Sequence, residues 1–394
     1  MASSHMPRPL LLTLIALSSI PAHANPTFNP QSIDASLSIG YGLAISDVDG
    51  DHKDDILIAD AREIAWYHNP DWKKEVIARN LTPRDHVCIA ARDITGDGKA
   101  EIAVGAQWNP GETSNPKESG AVFFLARPTS PGDPWTPVAL PHEPTVHRMR
   151  WVRTAPSQFA LVVLPLHGRG NLNGSGQGVK ILALSPGPNP SSSPSWQSSL
   201  IDESLHITHN LDARTLPDGS EEIIVAAKEG FLFAQPDGQG WKTSRASLAP
   251  SPDARPFLGA GEVRFLSPDL ITAVEPFHGQ LVTVLQRNPA TREWQRQIIE
   301  QGFNQGHALG TADFDHDGQL DIIAGWREPD AAKSTGLRLY SLKDSKWSPS
   351  WSSEPNTMAC EDLKTADLNN DGKPDIIAAG RASKNLVIYW NQNP

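Results

Sequence analysis

The chain has 394 residues, a formal net charge of −11, 30 glycines and 34 prolines. The many turn-forming residues and the scarcity of helix-period patterns favour an all-β protein, and the chain is long for a single domain. No basic stripe with interleaved aromatic residues occurs, which argues against a nucleic-acid partner.

The first 24 residues have the pattern of an export signal. Arg8 precedes the apolar run LLLTLIAL, and PAHA ends at Ala24 in an Ala-x-Ala cleavage site. The opening MASSHM is either vector sequence or a native extension. The apolar run is too short for a membrane span. We therefore predict a signal peptide over 1–24, a mature domain over 25–394, and a secreted or periplasmic protein.

Seven related units follow along the mature chain. Each unit has an apolar strand, a polar loop, a second apolar strand and a third strand rich in aromatic residues. A fourth segment opens on an aromatic residue in six units: Trp72, Trp135, Trp196, Trp241, Trp294 and Trp347. The seventh copy is missing at the C-terminus and occurs near the N-terminus as FNPQSID, from Phe28. This repeat predicts a seven-bladed β-propeller whose last blade is closed by an N-terminal strand, which covers the open sheet edges.

Four of the loops carry oxygen ligands at positions 1, 3, 5 and 9, the pattern of a compact calcium loop. The four sets are Asp47, Asp49, Asp51 and Asp55; Asp93, Thr95, Asp97 and Glu101; Asp313, Asp315, Asp317 and Asp321; and Asp367, Asn369, Asp371 and Asp375. Polar turns are the alternative, because Asp and Gly favour turns. Four recurrences in register favour up to four structural Ca²⁺ ions.

A second group of polar residues shares the opposite end of the units. Because the first and second strands run antiparallel, the start of one and the end of the other lie at one edge, away from the calcium loop. The residues at these positions are Tyr41, His86, His147, His167, Arg169, Lys228, His209, Glu275, His278, His307, Trp326, Arg327 and Glu361. Any one histidine is more typical of a structural hydrogen bond, but convergent titratable groups around a concave axis indicate a site.

The calcium loops resemble the FG-GAP or VCBS repeats of integrin-like propellers. The stretches AVEPFHG, GHAL with AGWRE, and HITHN with VAAKEG resemble a carbohydrate-active group that includes the propeller domain of the aldos-2-ulose dehydratases. Rhamnose–glucuronate lyases and α-L-rhamnosidases are similar more distantly. The resemblance implies a carbohydrate substrate and a catalytic metal in the central cleft.

We therefore predict a metal-assisted β-elimination on a sugar or a glycan that contains uronic acid. His147, His209 and His307 are the predicted ligands of a divalent metal such as Zn²⁺, with His86 and Tyr41 as acid–base residues. The predicted substrate-binding residues are Arg169, His167, Lys228, Glu275, His278, Trp326, Arg327 and Glu361. A glycoside hydrolase on the same face and a non-catalytic glycan-binding or adhesion propeller are the alternatives.

Cys88 and Cys360 lie in the second and seventh units, with the first unit between them. A disulfide needs close approach of the two Cα atoms, so this placement favours buried free thiols, although an oxidising compartment permits pairing. We expect a monomer or a small homo-oligomer.

Overall fold

The computed structural model describes residues 25–130, 132–238, 240–250 and 255–393. The predicted signal peptide lies outside these ranges. Within them the strands form seven four-stranded antiparallel sheets, and the one helix is a 3₁₀ turn, Ser193–Ser195. The predicted all-β seven-bladed propeller is confirmed. No helix in the described part of the chain has the length and apolar character that crossing a bilayer requires.

Each blade uses consecutive strands from the ring axis outward. Blade 1 contains β2 (Gly42–Ser46), β3 (Asp55–Ala59), β4 (Glu63–His68) and β5 (Lys73–Arg79). Blade 2 contains β6 (Cys88–Arg92), β7 (Glu101–Ala106), β8 (Ala121–Ala126) and β9 (Thr136–Leu140). Blade 3 contains β10 (Val146–Ala155), β11 (Gln158–Pro165), β12 (Ile181–Ser185) and β13 (Gln197–Asp202).

The remaining blades repeat this order. Blade 4 contains β14 (Thr208–Thr215), β15 (Glu221–Ala227), β16 (Gly230–Asp237) and β17 (Gly240–Arg245). Blade 5 contains β18 (Glu262–Ser267), β19 (Leu270–Glu275), β20 (Leu281–Arg287) and β21 (Trp294–Glu300). Blade 6 contains β22 (Gly306–Ala312), β23 (Asp321–Trp326), β24 (Gly336–Lys343) and β25 (Lys346–Ser352), and blade 7 contains β26 (Cys360–Ala366), β27 (Asp375–Gly380) and β28 (Leu386–Asn391).

The N-terminal strand β1 (Phe28–Asp34) completes blade 7. It pairs antiparallel with β28, with Phe28 opposite Asn391. At the end of β1, Asp34 accepts hydrogen bonds from Tyr67 Oη at 2.6 Å and Lys74 Nζ at 2.9 Å, both in blade 1. Main-chain pairing thus completes blade 7, and the hydrogen bonds and ion pair of Asp34 join it to blade 1.

The innermost strands of the seven blades contact one another in a closed ring. The second strands of the blades are almost wholly buried, as in Asp55–Ala59 and Asp321–Trp326, because apolar residues of adjacent sheets pack against both faces. We call the end where the innermost strands begin the histidine end, and the end where they turn into the second strands the acidic-loop end.

The two cysteines are free and buried, as the sequence favoured. Burial raises the pKa of the Cys88 thiol to about 12, and it raises the pKa of Cys360 well above its ordinary value. Both thiols therefore behave as small apolar groups of the core.

Candidate functional site at the histidine end

Four innermost strands carry a register shift at the same point of their path. The shifts fall between Val146 and Arg148, Thr208 and Leu211, Gly306 and Ala308, and Cys360 and Asp362. His147, His209, His307 and Glu361 lie within these shifts. A β-bulge inserts one extra residue and re-aims its side chain. In β2 and β6, by contrast, the pairing with the neighbouring strand shows no shift.

Three imidazoles meet at the histidine end. His209, His278 and His307 each offer a ring nitrogen, and these three atoms lie within 4.8 Å of one another. The ring centroids of His209 and His278 are 4.6 Å apart, as are those of His278 and His307. His209 and His307 are only 1% and 3% exposed. This group could hold a metal ion.

Backbone carbonyls of the next blade fix the tautomers of two of these rings. His209 Nδ1 bonds to the Gly261 carbonyl at 3.1 Å, and His307 Nδ1 bonds to the Glu361 carbonyl at 2.6 Å. Since a carbonyl only accepts, both Nδ1 atoms carry the proton, and both Nε2 atoms are left with a lone pair. This is the usual arrangement of a metal-ligating histidine.

His278 is held differently, by the tight turn that follows β19. Phe277 has a φ of +43°, a strained value for a bulky residue. A Cβ on Gly279 would lie 2.1 Å from the Glu275 carbonyl oxygen, so only glycine fits there. His278 Nδ1 accepts an N–H from Arg327 at 3.3 Å, and its Nε2 lies 2.6 Å from His209 Nε2. In this state His278 Nε2 is therefore the donor to His209.

A fourth imidazole, His147, lies beside the group. Its ring centroid is 4.5 Å from that of His209, and its Nδ1 donates to the His209 carbonyl at 2.9 Å. Its Nε2 accepts an N–H from Arg148 Nη1 at 3.2 Å. The predicted ligand set of His147, His209 and His307 thus differs from the set that the geometry favours, in which His278 replaces His147.

A carboxylate held by two guanidinium groups borders the imidazoles. Arg327 Nη1 lies 2.8 Å from Glu361 Oε2, and Arg381 Nη1 lies 3.0 Å from Glu361 Oε1. Glu361 Oε1 is also 3.9 Å from His307 Nε2. The Arg381 guanidinium lies 5.7 Å from the ring centroid of Tyr41, so Tyr41 belongs to the same surface.

Burial sets the charge of these groups. It lowers the pKa of His147 and His307 well below the ordinary value, and burial together with His209 and Arg327 lowers the pKa of His278 to about 2. The imidazoles are therefore neutral at pH 7, as metal ligands must be. Burial and the neighbouring Asp85, which accepts the Tyr41 Oη–H at 3.1 Å, raise the pKa of Tyr41 to about 12. Tyr41 is thus a proton donor and not a base at neutral pH.

Two predicted site residues, His86 and Trp326, have other partners. His86 bonds through Nδ1 to the Asp60 carbonyl and through Nε2 to the Leu81 N–H, so neither ring nitrogen is free for acid–base work. Trp326 is 3% exposed, stacks on Phe303 at 4.5 Å and belongs to the core. Its predicted contact with substrate does not fit this burial.

The other predicted binding residues stabilise the surrounding loops. Glu275 is 1% exposed and forms an ion pair with Arg296 at 2.7 Å. The remaining contacts are those of Arg169 with Glu143, of Lys228 Nζ with the Asn173 carbonyl at 3.4 Å, and of the His167 backbone with Thr145 and Ile207. The predicted roles of these residues in substrate binding have no direct support in their contacts.

The sequence reasoning missed three residues beside the imidazoles. Arg148 follows His147 directly, and Asn210 follows His209 directly. Glu262 is 1% exposed and accepts both N–H groups of Asn210 Nδ2, at 2.9 and 2.7 Å. For Arg148 and Asn210 the available signal was their position directly after a strand-initial histidine.

The four acidic loops at the other end share one geometry. The carboxylate at position 9 accepts the backbone N–H of the residue after position 1: Asp55 from Val48, Glu101 from Ile94, Asp321 from Phe314, and Asp375 from Leu368. Two loops also bring three carboxylates within 4.8 Å, Asp47 with Asp49 and Asp55, and Asp313 with Asp315 and Asp317. In the described residues the second and fourth loops do not form such a group.

Asp315 is the best-formed ligand candidate of the acidic loops. It is 5% exposed, and neither carboxylate oxygen has a hydrogen-bond partner among the described residues. Burial, with Asp317 nearby, raises its pKa. A buried carboxylate without a partner is costly, so this loop fits a cation.

Profiles of known families match three parts of the chain. FG-GAP-like repeats match residues 47–104, and FG-GAP repeats match residues 89–125. The β-propeller domain of aldos-2-ulose dehydratase matches residues 119–288. The resemblance predicted from the sequence is confirmed.

Individual proteins extend this likeness. Aldos-2-ulose dehydratase from Phanerodontia chrysosporium is 23% identical over 371 residues, which cover 86% of this chain. The match covers 40% of that relative, so the chain corresponds to about two fifths of its length.

Solved structures share the fold alone. A chain of a mitotic checkpoint complex has a TM-score of 0.58 at 11% identity, with 99% of this chain and 98% of that chain covered. BBS1N, solved in complex with ARL6DN, has a TM-score of 0.56 at 12% identity, with 95% and 98% covered.

Proposed function

We propose that the chain is a secreted carbohydrate-active lyase or dehydratase that performs β-elimination at the histidine end. The observation that carries the proposal is the group of His209, His278 and His307, whose ring nitrogens lie within 4.8 Å. The similarity to a dehydratase propeller supports a carbohydrate substrate.

The residues fit an imidazole-preferring divalent ion such as Zn²⁺. His209 and His307 already present lone pairs at Nε2, because their Nδ1–H groups bond to carbonyls. His278 would join them as its other neutral tautomer, with the proton on Nδ1 and not on Nε2, once the Arg327 N–H turns away from Nδ1. When bound, such an ion polarises a carbonyl or carboxylate oxygen of the sugar and acidifies the neighbouring C–H.

The chain's own residues supply orientation and proton transfer. We assign to Arg327, whose guanidinium bonds to Glu361 and His278, the role of holding a substrate oxygen at which negative charge develops. We assign removal of the carbon-bound proton to His147 Nε2, which would turn from Arg148, and protonation of the departing hydroxyl or glycosyl oxygen to Tyr41. The C–H and C–O bonds break, and a C=C bond forms.

The acidic loops serve a different purpose in this proposal. We infer that they bind structural Ca²⁺, most completely at Asp313, Asp315 and Asp317 and at Asp47, Asp49 and Asp55. The loops with Thr95 and Asn369 at position 3 would bind more weakly, because these side chains bring no charge.

The reaction type is tested on a panel of uronic-acid and keto-sugar glycans in ¹⁸O-labelled water. Elimination gives an unsaturated product that absorbs in the ultraviolet and gains no ¹⁸O in the cleavage step. A saturated product with ¹⁸O at its new reducing end would replace the lyase with a glycoside hydrolase.

A further inference from the structure

A cavity of about 270 Å³ lies on the ring axis, lined by residues from the innermost strands of six blades. Among the described residues, its charged lining is mostly basic: Arg92, Arg148, Arg150, Arg264 and Lys364, with Asp362 as the one lining carboxylate. The four histidines of the histidine end are not part of this lining. The cavity is thus a second polar space that adjoins the proposed sugar site, and Arg148 lies between the two, because it lines the cavity and also bonds to His147.

Four of these five cations have a carboxylate partner. The pairs are Arg92 with Glu221 at 2.9 Å, Arg150 with Asp212 at 3.1 Å, Arg264 with Glu262 at 3.2 Å, and Lys364 with Asp362 at 2.9 Å. Within the residues that the structure describes, Arg148 has none. It is 8% exposed, and it bonds only to the carbonyl and the Nε2 of His147. Five cations against four carboxylates leave one positive charge in excess.

Both bonds of Arg148 use the same nitrogen, Nη1. The other two nitrogens of the guanidinium are not among the buried, unpartnered atoms of the described residues, so they keep contact with the cavity space. The Arg148 charge acts on Glu262, but the hydrogen bonds of that carboxylate go to Arg264 and Asn210. A nearly buried guanidinium with no hydrogen-bonded carboxylate is unfavourable. Its planar fork matches the oxygens of a phosphate-like anion.

We infer that the axial cavity binds one small inorganic oxyanion, of the sulfate or phosphate type, against Arg148. The neighbouring Arg264, Arg150 and Lys364 add positive potential, although their hydrogen bonds go mainly to carboxylates. The volume is several times the roughly 30 Å³ that one water occupies in the liquid, so an anion fits with part of its hydration. This site does not depend on the proposed elimination reaction.

Isothermal titration with sodium sulfate, against sodium chloride at equal ionic strength, tests the site in the whole mature protein. We expect one saturable sulfate per chain, and affinity lower by roughly tenfold to a hundredfold in Arg148→Met, since one charged hydrogen-bonding partner is lost. Arg245→Met is the matched control, because Arg245 on outer strand β17 also bonds only to a carbonyl and a hydroxyl, those of Ser204. The sulfate affinity of Arg245→Met should equal that of the wild type.

Arg148→Met should fold, because no buried carboxylate loses its partner, and its melting curve without sulfate checks this. A wild-type crystal soaked in selenate tests the anion site without any substitution. We expect anomalous selenium density beside Arg148. Methyl sulfate, with one charge fewer, should bind more weakly than sulfate. The inference is overturned if sulfate shows no saturable binding, if Arg148→Met binds it as tightly as wild type, if methyl sulfate binds as tightly as sulfate, or if the cavity shows no selenium.

Discussion

At the acidic-loop end, polar groups are placed by short-range sequence, whereas at the histidine end they are placed by contacts between blades. Each acidic loop folds on itself, with the carboxylate at position 9 bonded to a backbone N–H seven residues earlier. At the histidine end, His209 and His307 are oriented by carbonyls 52 and 54 residues away. The acidic-loop end therefore repeats one local structure in four blades, whereas the histidine end forms a single site from blades that differ in sequence.

The largest expected difference between the two ends is in activity. His209→Ala or His307→Ala should reduce turnover to background and abolish binding of Zn²⁺ in a competition titration, because each removes a nitrogen ligand. His52→Asn and His316→Asn, in acidic loops, are the matched controls, since asparagine tolerates their positive φ values of 67° and 57°. Equal losses from both pairs would show that the active end is wrongly assigned.

Substitution of Arg327 tests whether a positive charge at the histidine end stabilises the negative charge that develops on the substrate. Arg327→Ala should lower kcat by about 10²–10³, the usual effect of removing a group that stabilises developing charge. Arg327→Lys should recover only part, because an ammonium lacks the fork geometry. Glu361 keeps Arg381 as a partner in both variants, so melting curves should change little. Full activity in Arg327→Ala contradicts the assigned role.

The acidic-loop end should respond to calcium and chelator. At a calcium concentration a hundred times Kd, one site stabilises the fold by about 2.7 kcal/mol, and Asp315→Ala should lose that gain. Without calcium the same variant should be as stable as wild type or more so, because the Asp315 carboxylate is buried without a partner. Asn369→Ala should show a smaller loss in calcium, since Asn369 is exposed. Melting curves that excess chelator leaves unchanged would exclude these calcium sites.

Among these substitutions, we expect the smallest effect from a change at the contact between the first and last blades, where Asp34 lies. Burial alone would raise the pKa of Asp34, but hydrogen bonds from Ser36, Tyr67 and Lys74 outweigh it and lower the value to about 2. A lowered folded-state pKa stabilises above the unfolded value near 3.8, and this contribution is lost as pH falls towards 2. Asp34→Asn should therefore cost about 1–2 kcal/mol at pH 7, allowing for partial solvent screening, and almost nothing near pH 2. A cost independent of pH in denaturant titrations would contradict this.

Sequence reasoning reached the fold and the acidic loops because both depend on patterns within about ten residues. The alternation of apolar strands and the aspartate spacing are visible in one unit and recur in the others. The pairing of β1 with β28 was also predictable, because the last unit lacks a fourth strand at the C-terminus and the N-terminal segment can supply it.

The site was less accessible because its determinants are local register and burial. His147 and His278 were both recognised, but which one joins His209 depends on a bulge in β10 and on the turn at Gly279. His86 shares the strand-initial position of His147, yet its nitrogens are taken by the Asp60 carbonyl and the Leu81 N–H. These two hydrogen-bond partners lie in a different strand connection, and the spacing of residues in the sequence does not reveal such contacts.

A metal site at the histidine end is best tested by anomalous diffraction from crystals grown with both Zn²⁺ and Ca²⁺, with data at and below the zinc absorption edge. We expect a zinc peak within bonding distance of His209 Nε2 and His307 Nε2, and no zinc peak in the loops at Asp313 or Asp47. A zinc peak only in the acidic loops, or none beside the histidines, would contradict the assignment of a metal-dependent site to the histidine end.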